Sequence, residues 1–236
     1  MNEIEVSMPE ITELYRLLEA PIAAFDCGKK CGPLNERGAP FCCDTRHCVP
    51  AAYREEWDYL QQNTSLWHLW KGEDQDIRRE LEEQVQDGQI LIECQGHLHC
   101  QREYRTLDCR SFPFFPYLDS QGEFLGLGVL YDYRDRCWVI SHLEVVTDRY
   151  REQFVEVFEL LFHEVPSIRE HYSRYAALER EAARRAGRRL ILLHRDGRAY
   201  GVDPDRETLL ETRLEDFPVF QPYLTREKLR FPDEKT

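Results

Sequence analysis

Positive charge is scarce in this chain: 31 Lys and Arg stand against 44 Asp and Glu, for a net charge of −13. Nucleic-acid surfaces are built from clustered Lys and Arg, so this balance argues against DNA or RNA as a partner. Long apolar runs are missing too. None approaches the roughly 20 residues that a membrane-spanning helix needs, and the start of the sequence lacks the basic stretch and apolar core of a secretory signal. Together these absences predict a cytoplasmic protein with no membrane partner. Walker loops, GxSxG and HExxH are also absent. Gly126-Leu127-Gly128 has neither the third glycine nor the following helix of a dinucleotide fingerprint, and reads as part of a strand. The acidic pairs Glu55-Glu56 and Glu82-Glu83 fall on amphipathic helices and read as solvated faces. No catalytic residue can be assigned from these patterns, and whether the chain is an enzyme stays open.

Cysteine, by contrast, is abundant, with nine in 236 residues. A cytoplasmic setting keeps thiols reduced, and an odd count fits poorly with a fully paired disulfide framework, so metal ligation is the better reading of such density. A disulfide scaffold remains the alternative. Thiolates are soft donors suited to zinc or iron, and pairs close in sequence chelate at low entropic cost. Cys27 and Cys31 form such a pair. Cys42 and Cys43 are adjacent; in an extended segment their side chains would point to opposite sides, toward different metals or opposite faces of a multinuclear site. Cys94, Cys100, Cys109 and Cys137 bring the candidate metal ligands to eight, without Cys48. Eight thiolates suit two tetrahedral sets of four, or a cluster with bridging sulfurs. His47, His97 and His99 lie among the cysteines and could replace a thiolate, although each taken singly reads as a loop histidine.

The periodicities predict an α+β fold: a small, irregular, cysteine-rich core organised by metal, with short β-hairpins and surrounding amphipathic helices. Helical spacing marks residues 9–20, 50–62, 76–86, 147–164 and 167–186. Residues 26–50 show no periodicity and read as a loop held by something other than an apolar core. Strands are expected at 90–93, 124–133 and 137–140, the last two as a hairpin beside the cysteines, and Asp196-Gly197 marks a second hairpin over 189–203. Trp67 and Trp70 read as core. The clearest division falls near Asp148, giving a cysteine-bearing region 1–147 and a region 148–236 of two helices and a hairpin, packed together as one unit.

The block Phe112-Pro113-Phe114-Phe115-Pro116 has too many prolines for a helix or a central strand, and reads as a stiff extended wall near the metal. Arg110 is expected to donate to thiolate sulfur and offset its charge. CGKKC, then Phe41-Cys42-Cys43, then Cys100 to Tyr104, and above all Cys109-Arg110-Ser111-Phe112-Pro113-Phe114 resemble the CxxCxxCC cysteine-cluster family, the YkgJ-like zinc- or iron-chelating proteins. The resemblance covers residues 26–140. It implies a zinc or iron ion, or an iron-sulfur cluster, as cofactor. It also extends to flagellin lysine methylases, and so to iron-dependent redox assistance in protein modification. The chain departs from the family pattern in several ways: the arginine-proline usual before the Cys-Arg element is absent, with Arg105-Thr106 nearby, and Cys48 is extra. The first pair is one residue wider, ten residues separate Cys31 from Cys42, and Cys137 is followed by Trp138 instead of proline. A further reading makes the metal a staple and the helices after residue 147 a surface for a protein partner.

Overall fold

The computed structural model describes residues 8–72, 74–86 and 88–224. In chain order it runs α1 (Ile11–Leu17), α2 (Gly28–Cys31), β1 (Ala51–Tyr53), α3 (Arg54–Asn63), β2 (Trp67–Leu69), α4 (Gln75–Gln84), β3 (Gln89–Cys94) and α5 (Leu107–Ser111). It continues through β4 (Phe114–Leu118), β5 (Phe124–Val129), α6 (Asp148–Glu164), α7 (Pro166–Arg185), β6 (Leu190–His194), β7 (Ala199–Val202) and β8 (Leu209–Glu211). The fold is α+β. Two antiparallel sheets are present, a three-stranded one in the order β1-β3-β2 and a five-stranded one in the order β4-β5-β6-β7-β8. Among the described residues no helix is long and apolar enough to cross a membrane.

The larger sheet takes β4 and β5 from before Asp148 and β6, β7 and β8 from after it, joined through Gly126↔His194, Leu127↔Leu193 and Gly128↔Leu192. Its faces alternate as a pleated strand requires. Phe114 and Leu118 of β4 and Ile191 and Leu193 of β6 join a large cluster with Tyr150, Phe154, Phe158 and Leu161 of α6. Phe115 and Tyr117, with Leu190 and Leu192, point the other way onto Ala176 and Ala183 of α7. Phe115 lies over Gly128, where an added Cβ would stand 2.6 Å from the ring. Gly126 has φ +137, and a Cβ there would meet the Leu193 carbonyl at 2.4 Å. Two glycines thus let β5 sit between its neighbours, and residues 124–129 form a strand as the sequence predicts.

Several expected elements shift. The phenylalanine-proline block is extended, and β4 lies at the edge of its sheet, where a strand proline costs no ladder hydrogen bond. The hairpin expected between 124–133 and 137–140 does not form. β5 pairs instead with β4 and β6, while Trp138–Ser141 closes into a 3₁₀ turn. Residues 51–53 are strand before the helix begins at Arg54, because they pair with 89–91. Helix α6 starts where its cap predicts: the Thr147 hydroxyl accepts from the Tyr150 amide at 3.3 Å. Trp67 is buried, and its indole donates to the Tyr104 carbonyl at 2.8 Å.

Candidate functional site: a field of coupled thiols

The loop over 26–50 is fastened by a polar knot. Asn35 donates to the Ala39 carbonyl at 3.0 Å and to Asp44 at 3.1 Å, and Arg46 donates to Asp44 at 2.7 Å. Asp44 and Asn35 are buried, and the Arg46 guanidinium together with Asn35 holds the Asp44 carboxyl well below the usual carboxylate range. This knot fixes the chain on either side of Cys42 and Cys43. Those two lie in a 3₁₀ turn, Phe41–Cys43, with sulfurs 4.0 Å apart. The expectation of opposite faces fails because the segment is turned, not extended.

The remaining thiols sit at ends of short elements: Cys27 caps α2 and Cys31 closes it, Cys94 ends β3, Cys109 lies in α5, and Cys137 precedes the turn Trp138–Ser141. Cys100 follows the 3₁₀ turn His97–His99. All nine cysteines are free thiols. Their electrostatic couplings form one continuous set. Cys137 feels Cys27 and Cys31, Cys42 feels Cys43, Cys137 and Cys31, and Cys43 acts on Cys31, Cys48, Cys94 and Cys109. Cys94 in turn feels Cys100. Burial raises most of these thiols: Cys27 is pushed up to about 11, with Cys31 and Asp26 adding to the shift. Cys43 goes the other way, lowered first by the hydrogen bond from Cys42 and then by Arg105. As placed, no three or more His, Cys, Asp or Glu side chains among the described residues form a closed ligand group. The eight candidate ligands share one electrostatic neighbourhood without a completed coordination shell.

The cation in this field is Arg105. Its Nε donates to Cys100 Sγ at 3.1 Å, and Cys43 and Cys109 also act on the guanidinium, raising its pKa against the opposing effect of burial. It also lowers Cys27. Sequence reasoning assigned this part to Arg110, and the structure corrects it. The Arg110 side chain donates to five carbonyls, those of Arg105, Tyr15, Leu18, Arg102 and Glu103, and its guanidinium lies 4.3 Å over the Tyr15 ring. Arg110 is therefore a backbone clamp, set by its place at the end of α5 beside the C-terminal end of α1. The signal for Arg105 was present in its short intervals from Cys100 and Cys109, but only the tertiary fold brings Cys43 to it.

Cys48, outside the eight, is pushed up to about 12 by burial and Asp108, opposed by a hydrogen bond with the Tyr133 hydroxyl. His47 stands edge-on to Phe41 at 4.9 Å, and His99 is exposed. Where α1, α3 and α5 meet lies Glu56, fully buried, with Oε1 accepting from the Tyr15 hydroxyl at 2.8 Å and the Leu107 amide at 2.7 Å. Its Oε2 has no hydrogen-bond partner among the described residues, and burial pushes the carboxyl up to about 7. The sequence reading placed Glu56 on a solvated helix face; the packing of α1 against α3 reverses that.

Fold and site together define a thiol-rich α+β protein. No family model matches the chain, and no curated protein or solved structure matches it.

Proposed function

We propose that this chain is a metal-binding protein that takes zinc or iron on thiolates drawn from Cys27, Cys31, Cys42, Cys43, Cys94, Cys100, Cys109 and Cys137. The observation that carries the reading is the coupling of these thiols, drawn from four separate stretches of chain, with Cys27, Cys43, Cys100 and Cys109 also coupled to the Arg105 guanidinium. Soft sulfur donors at this density suit zinc and iron better than magnesium or calcium. Zinc would cross-link the segments, and iron would add one-electron chemistry. The chain's own contribution is to gather the thiols and to hold Arg105 where it offsets the negative charge that several thiolates place on a dication. Burial raises most of these thiols, while Cys43 is lowered, so metal uptake by the raised ones releases protons.

Anaerobic purification without a tag, followed by metal analysis and an absorption spectrum, tests this. Stoichiometric zinc in colourless protein, or iron with charge-transfer absorption, supports it and separates the two metals. Less than one equivalent of any transition metal, with all nine thiols titratable, overturns it.

A further inference from the structure

Away from the thiols, a second guanidinium is buried with only a loose counter-charge, Asp148 at 3.8 Å. A pocket of about 410 Å³ lies where the turn between β6 and β7 meets α6, and Arg151, Arg198 and Arg213 line it together with Gly197, Thr212 and Glu211. Arg151 is the buried member, with its side chain only 9% exposed. One terminal nitrogen donates to the Arg198 carbonyl at 2.8 Å, the other stands 3.8 Å from Asp148, and Nε is buried without a hydrogen-bond partner among the described residues. Burial lowers its pKa, and the charges of Asp148 and Asp196 oppose that. A guanidinium has five donors, and a buried one ordinarily meets a carboxylate or phosphate in paired hydrogen bonds. Here the carboxylate of Asp148, at 3.8 Å, stands too far for such paired hydrogen bonds, and Nε is left without a hydrogen-bond partner among the described residues.

The other two arginines are already paired, but on the exposed rim: Arg198 with Glu211 at 3.2 Å, and Arg213 with Asp216 at 2.9 Å and Glu215 at 3.5 Å. Such pairs are weak and exchange readily. The lining therefore carries three guanidiniums against one carboxylate, in a chain whose overall charge is strongly negative. We propose that this pocket binds a small oxyanion ligand, phosphoryl or carboxylate, with Arg151 as the buried anchor and Arg198 and Arg213 closing on it from the rim. The guanidinium fork matches both kinds of anion, and the volume suits a small molecule.

Calorimetric titration of the full chain at low salt, with inorganic phosphate in one arm and succinate in the other, tests the site independently of any metal. Saturable binding near or below about 1 mM in either arm is expected, and the arm that binds identifies the ligand class. Arg151→Gln weakens it by about tenfold or more, and Arg198→Gln by several-fold. Arg198 is exposed, so that variant keeps the test decisive if Arg151→Gln does not fold. Absence of saturation below about 10 mM in both arms, or affinity unchanged in the folded variants, overturns the proposal.

Discussion

At the scale of single residues, two arginines five apart do different work. Arg105 faces sulfur, and Arg110 faces carbonyl oxygen. Replacing Arg105 with Met removes the donor to Cys100 and the cation near Cys43, so metal should be retained less well under a chelator while the fold persists; metal content after dialysis, beside circular dichroism, reads this out. Arg110→Met instead strips donors from five carbonyls, and should cost about 2–4 kcal/mol of unfolding free energy whether or not metal is bound. Urea unfolding of both variants separates the two roles. Nothing in the order of residues distinguishes them: Cys-Arg adjacency points to Arg110, whereas Arg105 bonds Cys100, five residues before it, and is coupled to Cys43 on a loop far upstream.

Glu56 gives a pH signature. Its folded pKa of about 7 lies above the usual 4.5. The folded state therefore holds the proton more tightly, so the stabilising effect is complete below pH 4.5 and disappears as pH rises through 7. The shift corresponds to about 3 kcal/mol for this fully buried group. Glu56→Gln keeps an acceptor for Tyr15 and Leu107, and its unfolding free energy should fall less between pH 5 and pH 8 than that of the parent chain. Equal slopes in denaturation series across that range would refute the assignment.

Among elements, β5 is the tightest fit. At Gly126 both the positive φ and the Leu193 carbonyl oppose a side chain. Gly126→Ala should cost about 2 kcal/mol or more, visible as a lower Tm, because the strained backbone and the close carbonyl have no way to relax together. Helices were the legible elements. Thr147, the apolar stripe of α6 and Gly187 after α7 carry local signals of cap, face and stop, and these hold. Strand partnership was less legible. Residues 124–129 announce a strand, but the choice of 114–118 and 190–194 as partners, over 137–140, depends on which faces bury phenylalanine against α6 and α7. The knot of Asn35, Asp44 and Arg46 was hidden for a related reason: polar residues in a loop look solvated until the chain folds back over them.

For the whole molecule, the proposed metal binding would be a proton-releasing event, because burial raises most of the gathered thiols, while Cys43 is lowered. Loading a site of four raised thiols at neutral pH should liberate up to about four protons per metal, and apparent affinity should climb with pH. A weakly buffered titration with an indicator dye measures the release directly; metal bound without proton release would point to ligands other than these thiols.

The sheet that spans residue 148 also imposes an order of events during synthesis. Every cysteine has been made by Cys137, whereas α6, which packs over the core next to them, and β6 to β8, which complete the sheet, all follow. At ordinary translation speeds the chain through β8 arrives on the order of ten seconds later. For that interval the cysteines are made but α6 is not yet packed on the core that Cys31 and Cys137 join, so the nascent chain passes through a stage in which its thiols are less sheltered from oxidation.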